Sequence, residues 1–283
     1  MANKLIALVD GSIYSKSVCE NASWLARRAG KPVEILHVIG RRDTPATDLS
    51  GSIALGARSA LLADLAELDE RRAKLAQQKG RAILEDAKTI LVDGGVANVT
   101  TRLMTGDIVD TIGDVEGDAE IVVIGKRGEA ADFAKMHLGS NLERVVRSSK
   151  RPVFVAARSF AEIKAVLVAF DGGQSAMKAL DYIATSPVFE GLSVHLLTVG
   201  GDSGETRAKL ESARAKLAAA GITATSEIKP GQPEAVISQI VESGGIDLLV
   251  MGAYGHSRIR SLFIGSTTSE MVRSCKIPVL LFR

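Results

Sequence analysis

No stretch of this 283-residue chain is apolar for the roughly 20 residues that a membrane-spanning helix needs, so none is expected. The first apolar run, Leu5 to Val9, is too short for a signal peptide and meets Asp10, so no such segment is expected either. Cysteine is scarce: Cys19 and Cys275 stand far apart, which suggests no disulfide framework and fits a reducing cytoplasm. Charge of one sign is also missing. The 35 Lys and Arg against 33 Asp and Glu leave a net charge of +2 without a basic cluster, so neither nucleic acid nor an anionic membrane is implied as a partner. The four histidines join no Cys or Asp at metal-ligand spacing, so no metal site is expected. His37 reads as a core-edge residue, and His137 and His256 as solvated loop residues. There is no G-x-x-x-x-G-K-[S/T] and no G-x-G-x-x-G, which excludes a P-loop and a dinucleotide fingerprint. No set of nucleophile, base and acid is legible, so no catalytic residues are assigned.

What the chain does have is a glycine-punctuated loop, GAYGHSRIRSLFIGST, from Gly252 to Thr267. It follows the apolar run Ile246 to Met251 and leads into a helical pattern. A buried strand that opens into small residues and a helix start is suited to phosphate. Glycines let backbone N–H groups approach an anion with no Cβ in the way, and the helix points its positive end at the same spot. The spacing is G-x2-G-x9-G-[S/T] on Gly252, Gly255 and Gly265, with Ser266 and Thr267.

A second copy lies upstream. Ile121 to Asn141 carries Gly125, Gly128, Gly139 and Ser140 with one extra residue in the loop, which also brings in Glu129 and Asp132. Other landmarks recur in the same order: IALVDGS with VLVAFDGG, HVIG with TVGG, GDIVDTI with GQPEAVI, and RPVFVAA with IPVLLF. The chain is therefore a tandem duplication, with one domain over 1–157 and another over 163–283, the link falling between Ala157 and Ile163. At roughly 150 residues per domain the length agrees.

In the first repeat the pattern predicts a strand at Leu5 to Val9, a helix over Ser15 to Ala29 and a strand at Pro32 to Val38. A surface loop from 40 to about 55 follows, then a long amphipathic helix from about Arg58 to Val92 with Leu61, Leu65, Leu68, Leu75 and Ile83 among charges. Strand, helix, strand, glycine loop, helix and a final strand, Pro152 to Ala157, complete it. The second repeat has the same order with a shorter connection: 96 residues separate Asp10 from Gly106, against 60 between Asp171 and Gly231. Strands alternating with helices at these lengths predict an α/β fold, two tandem doubly wound five-stranded parallel sheets with helices on both faces.

The glycine-loop spacing after a strand, with the Asp that ends the first strand, resembles the universal stress protein family in its tandem form, a fold of the adenine nucleotide alpha hydrolase type. The resemblance runs through both halves, with the diagnostic motif intact only in the second. It implies a cytoplasmic, ATP- or ADP-binding sensor or regulator of the stress response, with or without Mg2+ and with at most slow ATP hydrolysis. In the second domain it implies nucleotide contacts at Asp171, Val199, Gly252, Gly255, Gly265, Ser266 and Thr267. The matching positions of the first are Asp10, Val38, Gly125, Gly128, Gly139 and Ser140, expected to bind more weakly because the loop is longer and more acidic. The last strands are expected to pair, Val153 to Val155 against Val279 to Leu281, making an intramolecular pseudo-dimer, with a homodimer also open. Two alternatives remain. An adenylating enzyme of the related fold would carry a Ser-Gly-Gly-x-Asp-Ser loop, of which Asp171-Gly172-Gly173 is at best a distant echo. A nucleotide-free module would use the long helix to recruit partners or cover a small apolar ligand.

Overall fold

The protein is described from a computed structural model over residues 4–40, 58–128, 140–253 and 265–283. The first repeat runs β1 (Lys4–Leu8), α1 (Ser15–Ala29), β2 (Val33–Ile39), α2 (Arg58–Asp93), β3 (Val99–Thr105), α3 (Ile108–Val115), β4 (Ala119–Gly125), α4 (Ser140–Ser148) and β5 (Val153–Ala156). The second runs β6 (Ala165–Ala169), α5 (Gln174–Thr185), β7 (Ser193–Val199), α6 (Gly204–Ala219), β8 (Ala224–Lys229), α7 (Pro233–Glu242), β9 (Leu248–Gly252), α8 (Ser266–Ser274) and β10 (Val279–Phe282). The predicted elements recur in order, with ends displaced by one or two residues. Most of the expected loop from 40 to about 55 lies outside the described residues.

Apolar runs with no polar alternation need cover on both faces, and helices supply it. Along β1, Leu5 and Ala7 face a core built with α1, α2, α5 and α6, while Ile6 and Leu8 face one built with α3, α4, α7 and α8. Within each half all strand pairs are parallel, in the order β3-β2-β1-β4-β5 and its counterpart β8-β7-β6-β9-β10. The order reverses between β1 and β4, and between β6 and β9. In open parallel sheets a ligand crevice forms at such a reversal, beyond the carboxyl ends of the strands.

The halves join edge to edge. β5 and β10 pair antiparallel, with Val155 opposite Val279, Phe154 opposite Leu280 and Val153 opposite Leu281, the register expected from the sequence. One mixed ten-stranded sheet results, and both cores run through the junction. Polar contacts also cross it: Arg28 Nε donates to the Val188 carbonyl at 2.6 Å, and the Tyr182 hydroxyl to Glu120 Oε1 at 2.6 Å.

The outermost strands depart from the expectation of burial on both faces. β3 and β8 contain no buried residue, because each is an edge of the sheet with a neighbouring strand on one side only. Lys, Arg, Glu and Thr there keep the open edges from recruiting further strands. The 36-residue α2 is roughly 54 Å long at 1.5 Å per residue. From Ala63 to Lys79 none of its side chains is buried, and packing starts at Gly80, followed by Leu84, Ala87 and Leu91.

Leu280 is fully buried opposite Phe154, so Leu280→Lys places an uncompensated charge at the junction. We expect it to destabilise the whole chain by on the order of 3–5 kcal/mol, read as one cooperative urea transition shifted to lower denaturant. Well-folded monomers released from a dimer, at unchanged midpoint, would contradict the intramolecular pairing.

Candidate functional site at the strand ends

The first strand of each repeat leads into the same turn. Beyond β1 the chain reads Asp10-Gly11-Ser12, and beyond β6 Asp171-Gly172-Gly173. Asp10 Oδ1 accepts from the Ser12 N–H at 3.0 Å, and Asp171 Oδ1 from the Gly173 N–H at 2.8 Å. The intervening glycines have φ of +79° and +72°, a left-handed conformation that a Cβ would strain. The residue before each Asp is held alike as well. The Val9 carbonyl lies 2.8 Å from His37 Nδ1, and the Phe170 carbonyl accepts from the Thr198 hydroxyl at 2.8 Å. A carbonyl can only accept, so His37 carries its proton on Nδ1. His37 and Thr198 are matched members of HVIG and TVGG, and their shared task is to fix the strand end that presents the carboxylate.

The glycine that ends the fourth strand of each repeat has a packing reason to be glycine. A Cβ on Gly125 would fall 2.7 Å from Tyr14 Cβ, and one on Gly252 would fall 2.9 Å from Ser175 Cβ. In both halves the start of the first helix rests on this glycine. Gly128 closes further: a Cβ there would meet Asp10 Oδ2 at 2.8 Å, so the loop of the first repeat lies against the Asp10 carboxylate.

In the second repeat Gly265 is the N-cap of α8, and no side chain among the described residues caps the first turn. The Gly265 N–H reaches the Ala253 carbonyl at 3.3 Å, and the Thr268 hydroxyl donates to the Gly252 carbonyl at 3.1 Å. These bonds pin the positive end of α8 to the end of β9. Since Met251 pairs with Ala169 of β6, that end stands beside the Asp171 turn. Ser266 opens the helix and is exposed. Thr267 turns away: its hydroxyl donates to Glu234 Oε1 on α7 at 2.6 Å, and this bond holds the Glu234 carboxyl below its ordinary value. Val38 and Val199 sit at the ends of β2 and β7, half-buried. Ser140 opens α4. Gly139, Gly255, Glu129, Asp132, His137 and His256 lie outside the described residues.

The sites differ in their cover. A Cβ on Gly11 would fall 2.7 Å from Ile83 Cδ1 of α2, whereas one on Gly172 would meet the Lys209 stem of α6 at 3.2 Å. The first turn thus lies under an apolar helix face and the second under a lysine. Sequence reading missed Thr268, although a hydroxyl one turn into the helix after Gly265 was the available signal. Lys126, which sits between Gly125 and Gly128, is buried and donates its ammonium to the Cys275 carbonyl at the end of α8. Burial pushes Lys126 down to about 8, and the neighbouring Arg127 charge adds to the shift. Burial pushes the Cys19 thiol up to about 12, which leaves it unreactive.

Two α/β repeats in tandem, each with an Asp-Gly turn after its first strand and a glycine after its fourth, define the class. The chain belongs to the universal stress protein family, whose model matches residues 1–157 and 162–283. A universal stress protein of Synechocystis sp. is 39% identical over 284 residues, covering 99% of each chain. A universal stress protein of Mycolicibacterium smegmatis is 22% identical over 298 residues, covering 97% of this chain and 95% of its own. Among solved structures, a universal stress protein from Archaeoglobus fulgidus superimposes with a TM-score of 0.74 at 23% identity, covering 100% of this chain and 97% of that one. No helix among the described residues is long and apolar enough to cross a membrane.

Gly252→Ala should lower stability by about 1–3 kcal/mol through the clash with Ser175 Cβ. Combined with Ser175→Gly, it should show a favourable coupling in a double-mutant cycle measured by urea unfolding. Purely additive effects would mean that the close approach does not dictate glycine.

Proposed function

We propose that the chain binds an adenine nucleotide, ATP or ADP, at the strand ends of its second repeat and acts as a sensor or regulator in the stress response. One observation carries this reading: the uncapped N-terminus of α8, begun by Gly265, is pinned to the end of β9 beside the Asp171 turn. Unpaired N–H groups at a helix start favour phosphate oxygens. Asp171 would meet the adenosine portion and Val199 the base, while Gly252, Gly255, Gly265 and Ser266 surround phosphates and ribose. Thr267 would contribute its backbone N–H, since its hydroxyl is engaged by Glu234. Mg2+ would arrive with the nucleotide, held by phosphate oxygens and water, as this ion commonly is.

In the first repeat Asp10, Val38, Gly125, Gly128, Gly139 and Ser140 form the weaker site. Its loop is longer, Glu129 and Asp132 add negative charge, and Gly128 packs onto the carboxylate that would meet the ligand. We take the domains as 1–157 and 163–283, working as a cytoplasmic pseudo-dimer within one polypeptide, with no nucleic acid or membrane as partner. A second reading is favoured by one observation: Leu68 and Leu75 on the projecting part of α2 are 45% and 63% exposed, a surface that a partner would cover.

Calorimetric titration should give close to one ATP per chain, and Gly265→Val should weaken binding at least tenfold by placing a branched side chain at the helix start. Equal binding by both proteins, or none by the wild type, would refute the site. Two equal tight sites would refute the asymmetry. Retained pull-down of a partner by a chain that binds no nucleotide, lost in Leu75→Glu, would select the second reading.

A further inference from the structure

We infer that a second copy of the chain covers the exposed leucines of α2, the two helices lying antiparallel about a twofold axis between Glu70 and Arg71. The pairing is independent of the nucleotide reading, since no residue assigned to the strand-end sites lies on this stretch. Leu68 and Leu75 are 45% and 63% exposed. They stand seven residues apart, which at about 100° per residue puts them within about 20° of each other on the helix surface. Leu84, buried in the core, points about 180° away from Leu75. The exposed pair is therefore no continuation of the face that α2 turns to the sheet. The half-buried Ala73 and Ala76 carry that face forward instead.

Charge along the same stretch is divided by sign. Asp64, Glu67, Asp69 and Glu70 precede the axis, and Arg71, Arg72, Lys74, Lys79 and Arg81 follow it. All but the half-buried Asp69 are exposed. The helix dipole does not account for the division, because it acts within the first and last turns and the sign changes about three turns in. Within one copy, Glu67 pairs with Arg71 at 2.5 Å and Glu70 with Lys74 at 2.6 Å. Exposed pairs one turn apart contribute little on their own, and the same charges can serve a facing helix. A parallel pair of such helices would set like charges side by side. An antiparallel pair sets the acidic half of each copy against the basic half of the other, with Glu67 level with Lys74 of the second copy and Asp69 level with Arg72. The leucines then interleave: Leu68 of one copy and Leu75 of the other fall about 3 Å apart along the helix axis, at 1.5 Å per residue. The surface is complementary to itself in both charge and apolar content, which is what a twofold interface requires.

The test is sedimentation of the full chain, without nucleotide, over a range of concentrations. Four proteins are compared: wild type, Leu75→Glu, Glu67→Lys/Glu70→Lys and Arg71→Glu/Lys74→Glu, the last two also as an equimolar mixture. All the substituted positions are exposed, so the fold is expected to stand, which circular dichroism and the urea midpoint verify. Wild type should pass with rising concentration from 29.8 kDa to twice that mass. Leu75→Glu should dimerise at least tenfold more weakly. Each charge-reversed variant should stay a monomer, because both halves of its helix now carry one sign, and the mixture should form a one-to-one dimer. A wild type that stays monomeric at every concentration overturns the proposal and leaves the leucines to a partner of different sequence. A dimer that survives Leu75→Glu and both reversals places self-association elsewhere and overturns it too, as does a mixture in which neither variant regains a partner. Nucleotide is absent throughout, so failure here and failure of ATP binding are read in separate experiments.

Discussion

The antiparallel pairing of β5 with β10 is the constraint on which the rest of the molecule depends. Each four-residue strand is buried throughout and would otherwise be an apolar sheet edge open to any strand with free N–H and C=O groups. Pairing them converts two half-sheets into one whose edges, among the described residues, are the polar strands β3 and β8. It also fixes where everything else falls. The carboxyl ends of β4 and β5 meet the chain entering β10, which brings the turn after Gly125, the link after Ala157 and the end of α8 into one place.

Much of this was readable beforehand, for a physical reason that duplication supplies. One Asp-Gly after an apolar run is a common turn; the same turn twice, each time before matched landmarks, is a structural position. The last strands could be paired in register because Pro152 and Pro278 each mark where an apolar run begins. The edge strands were less legible. VTTRLM and ATSEIK differ from the inner strands in polarity, but which strands end a sheet follows from order across the sheet, not along the chain. Side-chain contacts between the halves were invisible for the same reason: Lys126 reaches a carbonyl 149 residues away, and no periodicity announces such a partner.

Gly125 and Gly252 carry a lesson about glycine loops. Phosphate approach and helix packing ask for the same absence of Cβ, so the first glycine of the motif is required by the fold whether or not a ligand comes. What separates the repeats among the residues described in both is found elsewhere, in Ile83 rather than Lys209 over the turn. A sequence match at the glycines weighs less than the state of the groups around them.

The long helix α2 divides into two parts under different selection. From Gly80 onward its faces are set by β2, β3 and α1, and a change of one residue in length would rotate Leu84, Ala87 and Leu91 out of the core. From Ala63 to Lys79 no buried side chain fixes the phase, so whole turns can be gained or lost there without disturbing either sheet. This stretch is the region of the first repeat whose length and chemistry can drift independently of folding. In a chain built on one duplicated plan, it is where what the protein touches can change while its fold does not.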